Sequence, residues 1–335
     1  MKKQANAFIL LCLSVSICLA HGAFSEAQAQ LQDITFNLEY MFHGGHVPFY
    51  VALEKGFYKE AGLNVTIVRG FGSGDTIKKV AAKRVPFGSC DFGSLVTSVI
   101  QEKTPVKALS PYYGKALVGI IFLKESGIKG PKDLEGKTIG HTAGGASTTM
   151  LPYFLKVNNV DRSKIKTVIA DATAHLPMLL TGKVDAILEQ SLHVGRFQNA
   201  ANEGGQKVTV AHMAYADYGV ESYGNVIIAH EDLIEKDPTL VRKFVQASIK
   251  GMIYAMEHPE EAVSALMKRT PEVTEQSMLD GYLVTKATWT EALRKTGVGV
   301  ITPERVRVSV DSVVSSLGLE KPKSIDIFYS SKFAK

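Results

Sequence analysis

HVPFYVALEKGFYKEAGLNVTIV, residues 46–68, predicts a helix that is followed at once by a strand. Pro48 stands near the start of the helix, and apolar residues recur at helical spacing as far as Phe57 while charged residues take the opposite face. Gly62 ends the helix, and residues 64–68 form the next strand. Because residues 33–40 also read as a strand, the stretch predicts a strand–helix–strand unit, which is typical of α/β sheets.

The same alternation continues along the chain. A glycine-rich turn, GFGSG at 70–74, leads to a helix that we expect Asp75 and Thr76 to cap, and residues 90–95 form a short strand that runs into another helix. A second, similar module begins after Lys115, and from Asp237 onward the pattern is helical, with boundaries between helices at Pro259 and Pro271. The order predicts an α/β protein of two lobes, each a mostly parallel sheet flanked by helices, with a cleft between the lobes.

Length and charge agree with this architecture. A chain of 335 residues is long for one core and suggests two domains. The net charge of +5 comes from lysines and arginines that are spread along the chain without a basic block. Nucleic-acid binding is therefore not expected, because it needs a clustered basic surface.

The N-terminus predicts export. Lys2 and Lys3 precede an apolar run from Ala7 to Ala20, and AQA at 27–29 offers small residues before a cut at Gln30. The alternative is a membrane anchor, but the run is shorter than the roughly 20 apolar residues that span a bilayer. We expect residues 1–29 to be a signal peptide and the protein to be periplasmic.

Cysteine and histidine spacing gives little support for cofactors. Cys12 and Cys18 lie in the expected signal peptide, so Cys90 remains without an internal disulfide partner. No H-E-x-x-H spacing or Ser–His–Asp constellation stands out, and His43 and His46 make a weak adventitious metal site at most. We predict no catalytic residue, no metal and no cofactor.

GHTAGGAS, residues 140–147, resembles a phosphate-binding loop with Ala146 in place of the lysine. Three interpretations are open: a damaged nucleotide site, an anion or small-solute site on the free amides of a helix start, and a capped helix in which Ser147 and Thr148 serve as caps. An exported protein meets little ATP, so the small-solute interpretation is favoured.

Four stretches together resemble a known family. Residues 46–68 are similar to the opening of periplasmic solute-binding proteins of the nitrate, sulfonate, taurine and thiamine-pyrimidine-precursor group. GIKGPKDLEGKTIG (127–140) resembles the entry to the second lobe of these proteins, and LLTGKVDAIL (179–188) a strand of that lobe. Residues 230–262 resemble the helices that follow the second crossover. The order and spacing of these stretches are specific, although no single one is diagnostic.

The resemblance implies a type II periplasmic-binding-protein fold. Lobe 1 would comprise residues 30–113 and 224–335, and lobe 2 residues 114–223, with crossovers near Tyr113–Leu117 and Ser222–Val226. It also implies a monomer that closes around a small polar solute and delivers it to a membrane ABC permease with its ATPase. The solute would be a pyrimidine-like heterocycle, a sulfonate or a related compound.

Two alternatives belong to other functional classes. The same group includes an enzyme branch that makes the thiamine pyrimidine from its own histidine and pyridoxal phosphate. That branch is expected to carry lysine, histidine and cysteine in stretches that correspond to residues 93–101 and 218–226 here, which have none of the three. The other alternative is a periplasmic sensor module, which the sequence does not separate from a transporter component.

The loop before the first helix carries the most distinctive candidate residues. In the pyrimidine-precursor binders an asparagine–aromatic pair and a histidine stand where this chain has Glu39, Tyr40 and His46. Tyr40 would stack on a planar ring or pack in the core, and His46 would contact the solute or be structural. Glu39 would accept N–H groups of a solute or face solvent or a lysine.

Further candidates lie at strand ends and glycine-rich turns, where a solute would meet amides and hydroxyls. Asp171 has the competing interpretation of a helix cap. The remaining candidate solute contacts are Gly72, Ser73, Ser94, Thr97, Thr142, Ser147, Thr148, Asp171, Glu189 and Tyr218.

Overall fold

The computed structural model describes residues 30–220, 222–270 and 274–334. The residues from Asp33 onward form one compact unit. The predicted signal peptide and the helix boundary expected at Pro271 lie outside the described residues. Within the described part of the chain, no helix combines the length and the apolarity that crossing a membrane requires.

Two five-stranded sheets organise the compact unit. The strands are β1 (Gln32–Asn37), β2 (Leu63–Val68), β3 (Phe87–Asp91), β4 (Val106–Pro111), β5 (Val118–Leu123), β6 (Thr138–His141), β7 (Lys166–Ile169), β8 (Ala186–Gln190), β9 (Val210–Ala214) and β10 (Asn225–His230). The first sheet has the order β2-β1-β3-β10-β4, and the second has the order β7-β6-β8-β5-β9. The first sheet thus takes its strands from both ends of the fold, and the lobe boundaries stay a prediction.

The expectation of mostly parallel sheets is confirmed, but each sheet contains one reversed strand and is therefore mixed. β1 runs parallel to β3, but β10 runs antiparallel to both β3 and β4. In the second sheet β6 is parallel to β7 and β8, whereas β5 is antiparallel to β8 and β9. The exceptional strands, β5 and β10, are the ones that follow the expected crossovers, because a strand arriving from the other sheet inserts in the reverse direction.

Helices cover the sheets and fill the C-terminal part of the chain. They are α1 (Val47–Glu54), α2 (Phe57–Glu60), α3 (Ser73–Ala81), α4 (Phe92–Glu102), α5 (Ala146–Val157), α6 (Ala172–Leu180), α7 (Val194–Glu203), α8 (Glu231–Lys236), α9 (Pro238–Glu257), α10 (Pro259–Met267), α11 (Glu275–Ala287), α12 (Glu291–Thr296) and α13 (Pro303–Leu317). Short 3₁₀ turns occur at Gly44–His46, Lys124–Ser126, Pro131–Leu134, Arg162–Lys164, Ser191–His193 and Tyr215–Tyr218.

The opening helix is divided, which the sequence pattern did not predict. Gly56 has a φ of +79°, a left-handed conformation that a helix interior does not contain, and it separates α1 from α2. The preceding strand ends at Asn37 instead of residue 40, so Glu39 and Tyr40 lie in the loop that follows it. Both differences arise from local backbone geometry that hydrophobic spacing does not report.

Two further helices begin at other residues than expected. α3 starts at Ser73, two residues before Asp75, and the hydroxyl of Thr76 donates to the carbonyl oxygen of Leu38 instead of capping the helix. β3 ends at Asp91, whose carboxylate caps α4 by accepting the Ser94 N–H at 2.9 Å. Ser94 and Thr97 are therefore helical residues.

An aromatic core holds the first sheet against α1 and α9. The ring of Phe36 lies 4.8 Å from that of Phe49 and 5.2 Å from that of Phe244, and Phe87 stacks on Phe244 at 4.1 Å. All four side chains are fully buried. Aromatic pairs at such distances add about 0.5–1.5 kcal/mol each beyond the area that they bury. This core fixes the loop between β1 and α1, which carries Glu39 and Tyr40.

Backbone hydrogen bonds extend the β1–β2 edge into that loop. The N–H of Gly72 donates to the carbonyl oxygen of Glu39 at 2.8 Å, and the N–H of Gly70 donates to that of Tyr40 at 3.0 Å. Gly72 has φ +123° and ψ 151°, a region that only glycine occupies without strain. The glycine-rich turn GFGSG therefore serves to place the start of α3 beside Glu39 and Tyr40.

Candidate functional site

A cavity of about 30 Å³ lies where loops of the two sheets meet, and we call it the cleft cavity. Its walls come from strand ends and helix starts, as expected for ligand sites in open α/β sheets. The lining residues are Glu39, Tyr40, His43, Gly72 and Ser73 on the side of the first sheet, and Thr142, Gly145, Ala146, Ser147, Leu188, Glu189, Gln190 and His193 on the side of the second.

Glu39 lies at the centre of a saturated hydrogen-bond network. Asn225 Nδ2 donates to Oε1 at 2.8 Å, Tyr112 Oη to Oε2 at 2.8 Å, and Ser89 Oγ also to Oε2. His46 Nε2 lies 3.0 Å from Oε1. Burial opposes ionisation of Glu39, but the neighbouring His46 and His43 outweigh it and hold the pKa of this carboxyl well below its usual range. Glu39 thus faces neither solvent nor lysine.

His43 and His46 stack on each other beside this carboxylate. Their ring centroids are 3.7 Å apart, with 27° between the planes. Nδ1 of His43 accepts the Gly45 N–H at 3.1 Å, so Nε2 carries the hydrogen and donates to Glu39 at 3.3 Å. Burial, followed by the proximity of His46, lowers the pKa of His43 to about 3, which keeps the ring neutral.

The same three residues are the candidate metal ligands. One ligand atom each from Glu39, His43 and His46 lies within 4.8 Å of the others, a carboxylate–imidazole set that suits transition metals. However, nearly parallel rings direct their in-plane lone pairs side by side instead of toward one point, and Nε2 of His43 holds a hydrogen. The geometry therefore fits hydrogen bonding to Glu39 better than it fits metal coordination.

Glu189 forms a second buried carboxylate centre, on the opposite wall. Its Oε1 accepts from Tyr40 Oη at 2.7 Å and lies 2.9 Å from His175 Nδ1, and its Oε2 lies 2.7 Å from His193 Nδ1. Burial opposes ionisation here as well, but His193 and His175 outweigh it and lower the pKa of Glu189 well below the usual range. In contrast to Glu39, Oε2 of Glu189 has a single hydrogen-bond partner among the residues that the structure describes.

The histidines of the second centre present acceptors. A carboxylate only accepts, so Nδ1 of His193 carries the hydrogen, and burial lowers the pKa of His193 and keeps the ring neutral. Its Nε2 is then a lone-pair acceptor, and it is buried without a hydrogen-bond partner among the described residues. The same holds for Oε1 of Gln190. The free polar atoms of the cleft cavity therefore call for a donor-bearing ligand.

Tyr40 joins the two walls. Its ring lies nearly parallel to that of His193, with centroids 5.6 Å apart and 18° between the planes. Its hydroxyl reaches Glu189 and lies 3.5 Å from Thr142 Oγ1. The Gly74 N–H adds a second bridge by donating to the Gly144 carbonyl oxygen at 3.1 Å. The two walls are thus in direct contact in this structure.

The glycine-rich turn at 140–147 lines the cleft cavity through its helix start. α5 begins at Ala146 with Gly145 as a cap that lacks a side-chain hydrogen bond. Ser147 Oγ accepts the Gly119 N–H at 3.2 Å, and Thr148 Oγ1 donates to the Thr142 carbonyl oxygen at 2.9 Å. Neither hydroxyl caps the helix, so the capping interpretation of these two residues is wrong.

The structure brings about half of the candidate residues together. Those that line the cleft cavity are Glu39, Tyr40, Gly72, Ser73, Thr142, Ser147 and Glu189. His46 contacts Glu39 from behind, and Asp171 caps α6 by accepting the Thr173 N–H at 2.9 Å. Ser94, Thr97, Thr148 and Tyr218 lie outside the lining set. Contact between a solute and any of these residues stays a prediction.

The sequence-based candidate set omitted His43, and of Glu189, Gln190 and His193, one of which was expected to make a polar contact, it kept only Glu189. His43 stands three residues before His46, a spacing that we considered only for a metal. Gln190 and His193 follow directly after Glu189 at the end of β8, so the strand-end rule that selected Glu189 applies to them as well. The sequence does not show the tautomer of His193. Its Nδ1 donates to Glu189, which leaves Nε2 as a hydrogen-bond acceptor.

Acid should destabilise the fold through its buried histidines. Burial lowers the pKa of His212 to about 4 and that of His43 to about 3, from an unfolded value of 6.5. Between the folded and the unfolded pKa the unfolded chain binds more protons than the folded protein. The free energy of unfolding therefore decreases by about 1.4 kcal/mol per histidine for each unit by which the pH is lowered. Urea midpoints from pH 7 to pH 4 measure this slope. His212→Asn should reduce this dependence of stability on pH, and the control His258→Asn, at an exposed position, should leave it unchanged. Equal slopes for the parent and both variants would contradict the assignment.

Comparison with known proteins identifies the family to which the chain belongs. The description of the matching family is NMT1/THI5 like, and the match covers residues 43–262. This is more than half of the chain, and the chain therefore belongs to the NMT1/THI5-like family.

Several relatives have described roles. The formylaminopyrimidine-binding protein of Halalkalibacterium halodurans is 24% identical over 266 residues, which is 79% of this chain and 78% of the relative. The riboflavin-binding protein RibY of Chloroflexus aurantiacus is 27% identical over 73% of this chain and 69% of its own. The 4-amino-5-hydroxymethyl-2-methylpyrimidine phosphate synthase THI5 of Saccharomyces cerevisiae is 23% identical over 72% of each chain. The family thus includes both binding proteins and a synthase.

Solved structures confirm the fold. The ligand-binding component of an ABC-type import system from Staphylococcus aureus, with zinc bound, superimposes with a TM-score of 0.68 at 14% identity, over 90% of this chain and 98% of that one. The alkanesulfonate-binding protein SsuA of Xanthomonas axonopodis pv. citri, bound to MOPS, gives 0.65 at 11% identity, over 88% and 96%. The periplasmic-binding-protein fold expected from the sequence is therefore correct.

Proposed function

We propose that this protein is the solute-binding component of an ABC importer, and that its solute is a small planar nitrogen heterocycle with N–H donors. The observation that carries this proposal is the polarity of the cleft cavity. Glu189 and the unpartnered Nε2 of His193 both accept hydrogen bonds, and buried acceptors left without donors are costly. The formylaminopyrimidine-binding and riboflavin-binding relatives support a role of this kind.

Electrostatics disfavour the anionic solutes that the sequence left open. Glu39 and Glu189 line opposite walls of the cavity, and the residues that the structure places around it include no lysine or arginine. A sulfonate or nitrate would bring a third negative charge next to these two carboxylates, and Arg196, whose charge acts on Tyr40 and His193, lies outside the lining set. The helix starts at Ser73 and Ala146 supply amide dipoles, which suit a neutral carbonyl or ring nitrogen of the solute.

Stacking supplies the planar selectivity. A ring placed between Tyr40 and His193 needs two contact distances of about 3.5 Å, or about 7 Å between the protein rings. Their centroids are 5.6 Å apart, and the cavity measures about 30 Å³. The two walls must therefore separate to admit the solute and close again around it, which is the hinge motion of two-lobed binding proteins.

The remaining parts of the proposal follow from this role. We propose that the predicted signal peptide directs the protein to the periplasm, that the protein acts there as a monomer, and that its partners are a membrane permease with an ATPase. Residues 93–101 and 218–226 carry no lysine, histidine or cysteine for the synthase chemistry expected of the enzyme branch, so we propose binding without catalysis. Co-purification with the permease distinguishes this role from that of a sensor.

A thermal-unfolding screen tests the solute class. We expect 4-aminopyrimidine and related amino heterocycles to stabilise the purified protein, by about 2.7 kcal/mol at one hundred times their dissociation constant, which corresponds to several degrees. Methanesulfonate, nitrate and benzoate serve as anionic comparisons and should leave the melting temperature unchanged. Stabilisation by the sulfonate alone would overturn the proposed solute class and transfer the binding role to the start of α5.

A further inference from the structure

The contact between Tyr40 and Glu189 joins residues that belong to opposite walls of the cleft cavity. Tyr40 follows β1 of the first sheet, and Glu189 lies near the end of β8 of the second. The Tyr40 hydroxyl donates to Oε1 of Glu189 at 2.7 Å, a short hydrogen bond to a carboxylate. Because Glu189 is 4% exposed, water does not compete for this position.

We infer that the Tyr40 hydroxyl holds the hydrogen-bond position on Glu189 that an N–H group of the solute takes, so that Tyr40 acts as an internal competitor and selects for donor-bearing solutes. This inference rests on the proposed function. It adds a specificity-determining residue, Tyr40, and a reason why flat solutes without N–H groups fail to bind.

The hydrogen-bond capacity of Glu189 supports the competition. A carboxylate oxygen has two lone pairs, and on Oε1 these face His175 Nδ1 and Tyr40 Oη. A further donor on Oε1 therefore has to replace one of the two, whereas Oε2, which faces His193, keeps a second position. His175 is fully buried behind the carboxylate, whereas Tyr40 is on the movable wall, so Tyr40 is the partner that leaves.

Ring geometry links this exchange to solute entry. Widening the gap between Tyr40 and His193 from 5.6 Å to about 7 Å for a stacked ring carries the Tyr40 hydroxyl away from Glu189. A solute that only stacks leaves Oε1 of Glu189 without the donor that Tyr40 supplied. The cost of this lost hydrogen bond offsets the stacking energy of the solute. A solute with an N–H at that edge of the ring restores the lost hydrogen bond. Selectivity thus arises from the difference between these two cases.

The test uses Tyr40→Phe and Tyr40→Ala, with a matched control elsewhere on the protein. Tyr254 donates to Glu261 at 2.6 Å on the exposed surface, so Tyr254→Phe removes the same kind of hydrogen bond far from the cleft cavity. Two quantities are measured for each protein: the radius of gyration without added solute, by small-angle X-ray scattering, and the affinity for 4-aminopyrimidine, by calorimetry. Melting temperatures establish that each variant is folded.

We expect Tyr40→Phe to have the larger radius of gyration, because one of the bridges between the walls is lost, and to bind 4-aminopyrimidine roughly three- to tenfold more tightly. Tyr40→Ala should bind it about tenfold more weakly than the parent, since the stacking face is gone. Tyr254→Phe should match the parent in both measurements.

A Tyr40→Phe variant equal to the parent in both radius and affinity would overturn the inference, and so would weaker binding by that variant, which would make the hydroxyl a contact to the solute. The scattering measurement needs no solute, so it separates the two proposals. A larger radius for Tyr40→Phe, with no binding of 4-aminopyrimidine by any of the proteins, would support the bridge and refute the proposed solute class.

Discussion

Replacing Glu39 with alanine is expected to lower the free energy of unfolding by about 3–5 kcal/mol, the cost of breaking a buried charged network by removing one partner. The variant leaves Ser89, Tyr112 and Asn225 with buried polar groups that have lost their shared acceptor. It also removes the carboxylate beside His46. Urea unfolding monitored by circular dichroism gives the difference in midpoint and slope.

The chain offers a matched control for this experiment. Glu291 pairs with Lys295 at 2.8 Å, but both side chains are at least 75% exposed, and such surface pairs contribute little. Glu291→Ala should therefore change the urea midpoint only slightly. If Glu39→Ala unfolds at the same urea concentration as the parent and instead loses solute binding, then Glu39 is a solute contact and our structural assignment is wrong.

Glu189→Gln is expected to weaken binding of an aminopyrimidine by about one hundredfold while the protein remains folded. The carboxylate accepts from both His175 and His193, which turns the Nε2 lone pair of His193 outward. A glutamine amide has one donor end, so one of these two rings must reverse its tautomer. The lost charge-assisted hydrogen bond is worth about 1.5–3 kcal/mol, which corresponds to a factor of ten to one hundred or slightly more.

Calorimetric titration of Glu189→Gln against the parent measures this effect. Glu203→Gln, at the exposed end of α7, makes the same chemical change outside the cleft cavity and should bind like the parent. Binding by Glu189→Gln within threefold of the parent would show that the carboxylate does not recognise the solute, and the donor-based argument for a heterocycle would fail with it.

The two predictions separate centres that look alike in composition. Each wall has one buried glutamate flanked by two histidines, His43 and His46 around Glu39, and His175 and His193 around Glu189. The protein itself supplies enough donors to saturate Glu39, so this centre stabilises the fold. Oε2 of Glu189 has a single partner, and on Oε1 a solute donor can replace the Tyr40 hydroxyl. Glu189 is therefore free to recognise a solute.

Much of the fold was predictable from local pattern. The alternation of strands and helices, the helical C-terminal region and the resemblance of residues 46–68 led to a two-sheet binding-protein fold, which the comparisons confirm. These features are local: burying one face of an element requires a spacing of apolar residues that the sequence itself displays. The reversed direction of β5 and β10 is not a local property, and the spacing of apolar residues did not predict it for that reason.

The sequence by itself made Glu39 and Tyr40 candidates through the family resemblance, and Glu189 through its place at a strand end. Only the tertiary structure decided their roles, because the partners that distinguish them are far away in the chain. Glu39 meets Asn225 across 186 positions, whereas Tyr40 meets Glu189 across 149. A carboxylate acts as a structural centre or a recognition group according to how many donors surround it, and that number is fixed when the chain folds.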